Sequence, residues 1–329
     1  MIFLPGYSLL TKVSENTSSR IYNGIRTADD LAVTIKLLVR ENPSITEIAR
    51  LKNEYSILES LNCKGTLKVY AFEEYRNNFA AIFERFDGQT LEELLEVSNF
   101  SLLDILDIAV NLVEILDDLQ TENIIHKNIN PSSILMHPAS GELKIIDFDI
   151  ASRISYESPL LVTEPPRGSL SYISPEQTGR MNRNLDYRTD FYSLGVTLYK
   201  LLCKRLPFES DEPLELVHAH IAKVPFRPCE IDPDIPQVLS EIVMKLVAKN
   251  AEDRYQSTVG IKSDLIKCQE ELKKLGSIAP FELGEQDVSQ KLNIFQKLYG
   301  RDKEIWTLKD HFTKAARGSC ESVVIQGPS

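Results

Sequence analysis

His126-Lys127-Asn128-Ile129-Asn130-Pro131-Ser132-Ser133-Ile134-Leu135, followed shortly by Ile145-Ile146-Asp147-Phe148-Asp149, decides how this chain is read. Two upstream features belong with it. Val33-Thr34-Ile35-Lys36 reads as a strand ending in a lysine, and Glu54 lies between Leu51 and Leu58 on the apolar face of the next helix. Downstream come Ser174-Pro175-Glu176, then Asp190-Phe191-Tyr192-Ser193-Leu194-Gly195, then Arg254. A lone lysine in a strand is ordinarily a surface charge. All of these in one fixed order form a far more specific signal than any one of them.

Working outward, residues 7–13 and 20–25 read as strands around a polar stretch at 14–19, in hairpin fashion, with a third strand at 31–38. Pro43-Ser44 opens a helix whose Ile45, Ile48, Leu51, Tyr55, Leu58 and Leu61 recur at spacings of three and four. Two more strands fit 67–70 and 79–83. From Leu91 the pattern changes to long helical periods, clearest at 102–119, where Ile105, Ala109, Leu112, Leu116 and Leu119 make one stripe. Helices are expected again at 189–203, 214–222, 236–248 and 258–275. The layout is α+β: a small β-rich lobe over 1–86 and a larger helical lobe over 87–275. After Gly276 the periodicity fades, which predicts a linker over 276–297 and the start of a further unit at 298–329.

Composition closes off several function classes. The 37 lysines and arginines against 48 aspartates and glutamates give a net charge of −11, which argues against nucleic-acid or anionic-lipid partners. No apolar run approaches the roughly 20 residues that cross a bilayer, and the first residues lack the basic region of a signal peptide. The five cysteines lie far apart with no C-x-x-C pair. They read as reduced thiols in a cytoplasmic protein. His218 and His220, two apart in a helix, face different ways and make a poor metal pair.

The ordered set resembles the protein-kinase signature over residues 7 to 275. It implies a bilobal protein-kinase fold, with ATP and Mg2+ as cofactors. The flanks, Tyr172-Ile173-Ser174-Pro175-Glu176-Gln177-Thr178-Gly179-Arg180 and Glu215-Leu216-Val217-His218-Ala219-His220, narrow it. They look like a bacterial group best known from cyanobacteria, in which a serine/threonine-kinase-like domain precedes a P-loop ATPase, a GAF sensor and a histidine kinase. Val323-Val324-Ile325-Gln326-Gly327-Pro328-Ser329 resembles the approach to a Walker A loop and stops before its glycine-lysine pair. The downstream domains of such a longer chain, and an unidentified protein substrate, are the partners implied beside ATP.

The resemblance also implies roles. Lys36 and Glu54 match the phosphate-pairing lysine and its bracing glutamate, and Asp147 matches the magnesium-holding aspartate. Val13, Ile21, Thr34 and Leu135 match adenine-contacting positions. Phe83 stands at the gate, and Glu84 and Phe86 offer backbone hydrogen bonds to the adenine edge. Glu176, Arg254 and Asp190 match structural anchors. The departures sit at the catalytic centre. Asn128 replaces the proton-accepting aspartate, and an amide cannot take a proton. Asn130 replaces a lysine, Ser133 replaces the asparagine that holds the second magnesium, and Asp149 replaces a glycine. Ser14, Asn16 and Ser19 replace the glycines of the phosphate loop. These point to a pseudokinase or a very weak serine/threonine kinase. An active kinase and a nucleotide-free scaffold are the alternatives.

Overall fold

The chain divides into two units, Met1–Val288 and Ser289–Ser329. The computed structural model describes residues 4–76, 78–153, 167–180 and 185–288, with six isolated positions beyond 288. In the second unit, Trp306, Thr307, Asp310, His311 and Lys314 are helical, and Lys314 Nζ lies 2.7 Å from Asp310. The Walker-like segment at 323–329 lies outside the described residues, as do all of 289–297 and most of 298–329.

Alternating strands make the first lobe. β1 (Tyr7–Glu15), β2 (Ser19–Arg26), β3 (Leu31–Leu38), β4 (Val69–Tyr75) and β5 (Asn78–Glu84) form one antiparallel sheet in the order β1-β2-β3-β5-β4. Val33, Ile35 and Leu37 of β3 and Ala80 and Ile82 of β5 are fully buried together. Period-two alternation therefore sends Thr34 and Lys36 to the opposite face, where Lys36 sits across from Ala81 and Ile21. The fourth strand is longer than its apolar run suggests. It continues through Glu73 and Glu74 because β4 is an edge strand, paired only to β5 and free to carry charge outward.

Helix α1 (Ile45–Glu59) starts on a capping box, in which Ser44 Oγ accepts from Glu47 N and Glu47 reaches back to Ser44 N at 2.7 Å. It buries Leu51, Ile57 and Leu58, and Glu54 with them.

The second lobe is helical. It holds β6 (Gln89–Thr90), α2 (Leu91–Val97), α3 (Leu102–Thr121), β7 (Ile124–Ile125), β8 (Ile134–Met136), β9 (Leu143–Ile145) and β10 (Ser152–Arg153). After them come α4 (Arg188–Cys203), α5 (Pro213–Ala222), α6 (Pro228–Ile231), α7 (Gln237–Leu246) and α8 (Thr258–Leu275). Helix α3 packs on α8 and α4 on α7. Gly195 permits the second contact, since a Cβ there would lie 2.6 Å from Leu246 Cβ. Strands β6, β8 and β9 form a small sheet, and β7 pairs with β10.

Residues 276–288, the first part of the linker expected over 276–297, pack on the first unit. Ile278, Phe281 and Leu283 pack on the core, and Asp287 accepts hydrogen bonds from Gln256 N and Ser257 N, both at 2.9 Å. Their apolar residues carry no period because the segment forms neither helix nor strand. Among the described residues no helix is long and apolar enough to cross a membrane.

Candidate active site

The two lobes enclose a cleft of about 320 Å³. Its apolar walls are Val13, Ile21, Leu67, Phe83, Phe86 and Leu135, with Thr34 beside them; its charged end carries Lys36, Glu54 and Asp147. Val13 is 57% exposed, an apolar side chain left uncovered on the roof of the cleft. Glu84 faces elsewhere, its carboxylate accepting from Lys68 N at 3.1 Å and lying 3.5 Å from Lys144 Nζ. A larger, open depression of about 1000 Å³ lies between α3 and α8 and gathers none of the motif residues.

Lys36 is held from two elements. Its Nζ donates to Glu54 Oε2 at 2.8 Å and to Asp147 Oδ1 at 2.7 Å. Burial opposes the charge on Lys36, but Asp147, Glu54 and Asp149 more than offset it, and its pKa is raised. Burial pushes Glu54 up to about 7 against the pull of Lys36, with Asp147 and Asp149 adding to the rise. Burial likewise raises Asp149 above the usual carboxylate range. Three carboxylates thus surround one ammonium. Asp147 itself takes a left-handed backbone, φ +65°, which an L-residue adopts at a cost.

The loop before it is built on Asp190. Its carboxylate accepts from His126 N at 2.7 Å and Lys127 N at 2.8 Å. His126 is fully buried, edge-on to Phe148 at 4.5 Å. Its Nδ1 accepts from Asn128 N, so Nε2 carries the proton and donates to Ile146 O at 3.0 Å. Asn128 and Asn130 face each other, Asn130 Nδ2 donating to Asn128 Oδ1 at 3.0 Å and to Asn128 O at 2.9 Å. The amide at the proton-acceptor position is thus occupied by a second amide.

Ser133, expected as a metal ligand, is turned away from the cleft. It is 1% exposed, accepts from Asn130 N at 3.0 Å and directs its hydroxyl at Asn128 O, 2.8 Å away, and Asn130 O. A hydroxyl closing a turn on its own loop is not free for a cation. Among the described residues no group of three or more His, Cys, Asp or Glu could hold a metal ion. The described residues therefore offer no cage of three such ligands for a cation, and Asp147 is a carboxylate partly exposed on the cleft.

Two sets of contacts beside the cleft went unread in the sequence. Asn53, one residue before Glu54, donates from Nδ2 to the carbonyls of Phe148, Asp149 and Ala151, which ties α1 to the segment that carries Asp147. Asn16 is the other: its Oδ1 accepts from Ser18 N at 2.9 Å and Ser19 N at 2.7 Å. An asparagine two residues before a serine pair is the known signal for such a turn. Nothing in the sequence marked Asn53.

The anchors of the helical lobe are complete. Arg254, 1% exposed, grips Glu176 at 2.7 and 2.8 Å and also donates to Arg188 O and Ala248 O. Burial alone would raise Glu176, but the Arg254 guanidinium holds it below the usual range. His220 is buried and hydrogen-bonded through Nδ1 to Tyr192 Oη at 2.9 Å, while His218 is exposed, so the two histidines do not converge.

A family model described as protein kinase domain matches residues 7–266. A probable serine/threonine-protein kinase of Streptomyces coelicolor is 30% identical, over 80% of this chain and 40% of its own length. One from Clostridium perfringens is 29% identical, over 80% of this chain and 38% of its own. A hybrid signal transduction histidine kinase G of Dictyostelium discoideum is 36% identical, over 48% of this chain and 5% of its own. The chain thus spans two fifths or less of these three relatives.

Proposed function

The chain belongs to the protein kinase domain family, and from that premise we propose that it is a pseudokinase or very weak serine/threonine kinase that binds Mg-ATP and regulates a longer signalling protein. One observation carries the reading. Lys36, Glu54 and Asp147 are assembled on the cleft, while the position that should take the substrate proton holds Asn128, hydrogen-bonded to Asn130.

When bound, a magnesium-nucleotide supplies the transferable phosphoryl group and its charge neutralisation. Lys36 pairs with the phosphates, Glu54 fixes the Lys36 ammonium, and Asp147 offers the metal a carboxylate. Asn128 orients a hydroxyl without accepting its proton. Losing a positioned base lowers a rate by roughly 10²–10⁴-fold. Asp149 adds a further negative charge where a glycine would stand.

We place it ahead of ATPase, sensor and histidine-kinase domains in a cytoplasmic protein; the similarity to a protein named as a hybrid signal transduction histidine kinase supports the histidine-kinase part of that reading. The test is transfer of radiolabelled γ-phosphate to the chain itself or to a generic protein, at matched magnesium. Background incorporation is expected. Asn128→Asp alone recovers little. Asn128→Asp, Asp149→Gly, Ser14→Gly, Asn16→Gly and Ser19→Gly together recover more than the single changes sum to, because groups acting as a unit are non-additive. Robust incorporation by the unmodified chain, abolished by Asp147→Ala, would establish an active kinase instead.

A further inference from the structure

The loop between β1 and β2 holds a set of hydrogen-bond donors that its own side chain has filled. Asn16 Oδ1 receives the backbone N–H groups of Ser18 at 2.9 Å and Ser19 at 2.7 Å, and both serine hydroxyls, at 3.1 and 3.2 Å. Successive amides converging on one point form a concavity suited to an anion. Here a neutral carbonyl oxygen sits in it. The loop is also fixed in place: Asn16 N donates to Ser19 O and Val39 N to Ser18 O, each at 2.9 Å, and Ser19 is 3% exposed.

Asn16 lines the same cleft as Lys36 and Asp147. At that end Glu54, Asp147 and Asp149 gather at the Lys36 ammonium, and although Arg50 also acts on Asp149 the carboxylates outnumber the cations, so the electrostatics do not favour a polyphosphate either. The apolar walls, by contrast, are intact. Val13, Ile21 and Leu135 offer two faces to a flat ring.

We infer that Asn16 is an internal plug in the phosphate-binding loop, and that the cleft selects an adenine nucleoside with little regard for the phosphates attached to it. The inference rests on the proposed nucleotide binding and names what that binding reads. A loop that covers phosphates with free amides rewards a triphosphate through charge-assisted hydrogen bonds. A plugged loop leaves the nucleoside contacts to set affinity.

The experiment is isothermal titration of the chain with adenosine and with the non-hydrolysable ATP analogue adenylyl imidodiphosphate, both in Mg2+. The two are expected to bind the wild type within about threefold of each other. Asn16→Ala empties the concavity, so the analogue should bind at least tenfold tighter while adenosine changes less than threefold. Asn16→Asp keeps the turn acceptor and adds a charge, so it should weaken the analogue and spare adenosine. Should Asn16→Ala lower the unliganded melting point, the wild-type ratio and Asn16→Asp decide. Adenosine binding with an analogue at least 30-fold tighter in the wild type, or no response of the analogue to either variant, overturns the plug and leaves nucleotide binding standing. Failure of both ligands to bind any form overturns both.

Discussion

Lys36→Met should destabilise the unliganded fold, and the loss should depend on pH in a way that identifies Glu54 as its cause. Lys36 reads in sequence mainly as a ligand contact, braced by Glu54. In the structure its side chain is 12% exposed and pairs with Glu54, 4% exposed, and with Asp147, 36% exposed. The half-open Asp147 arm contributes up to about 1 kcal/mol. The Glu54 arm is different, because removing Lys36 strands a buried carboxylate.

Stranding is capped by protonation. Without Lys36, burial, Asp147 and Asp149 all push Glu54 further above its present value of about 7. A carboxyl of ordinary value 4.5 must then take up a proton to fold at neutral pH. At pH 7 that costs about 1.4 kcal/mol for each unit of the difference, or about 3 kcal/mol. The sign follows from proton count. The folded variant holds a proton that the unfolded chain releases, so its stability is greatest near and below pH 4.5 and falls as pH rises towards the folded value.

The assay is urea denaturation of Lys36→Met and of Lys36→Met with Glu54→Gln at pH 5.5 and 7.5, with and without Mg-ADP. The double variant has no carboxyl to strand and should be the more stable at pH 7.5 by about 4 kcal/mol, the gap shrinking by about 1.4 kcal/mol per unit of acidification. Because the nucleoside contacts set affinity, each variant should keep most of the stabilisation expected of Mg-ADP in the wild type, about 2.7 kcal/mol at 100-fold above Kd. A gap that is absent, or equal at both pH values, refutes the reasoning, because Glu54 would then be solvated rather than stranded.

Arg254→Met should cost about 3–5 kcal/mol by urea midpoint, because Glu176 remains buried and loses its counter-charge; a loss under about 1 kcal/mol would place that pair among surface contacts. Burial holds His220 neutral, its pKa lowered to about 3 from 6.5 with Lys249 adding to the effect, so its stabilising contribution is complete above pH 6.5 and lost as pH falls. Between pH 6 and 4 the wild type should lose stability faster than His220→Gln by about 1.4 kcal/mol per pH unit, and parallel curves would show that the imidazole stays neutral in both states.

What the sequence made legible follows the regular elements. Thr34 and Lys36 had to share a face because Val33, Ile35 and Leu37 occupy the other, and Glu54 had to turn inward because Leu51 and Leu58 do. Periodicity says nothing where the backbone leaves a repeat. Ser133 and Asn130 sit in a 3-10 turn whose hydrogen bonds, not its spacing, set which way each side chain points. The inward-packed 276–288 segment and the reach of Asn53 were hidden for a different reason: their partners are distant in sequence.

That division bears on how the cleft is interpreted. Glu54 secures α1 through Lys36, Asp190 holds the backbone of the loop, and Arg254 ties down Glu176. Each has structural work that would keep it in a chain with no chemistry, so their presence speaks for the fold and not for turnover. Asp147 is the exception among the motif residues. It sits at φ +65°, where a non-glycine residue is strained by about 1–2 kcal/mol, and its side chain is 36% exposed on the cleft, with Lys36 as its ion-pair partner. A half-exposed ion pair repays little of that strain. An aspartate held at such a position, facing an apolar-walled cleft, is the feature that the fold explains least.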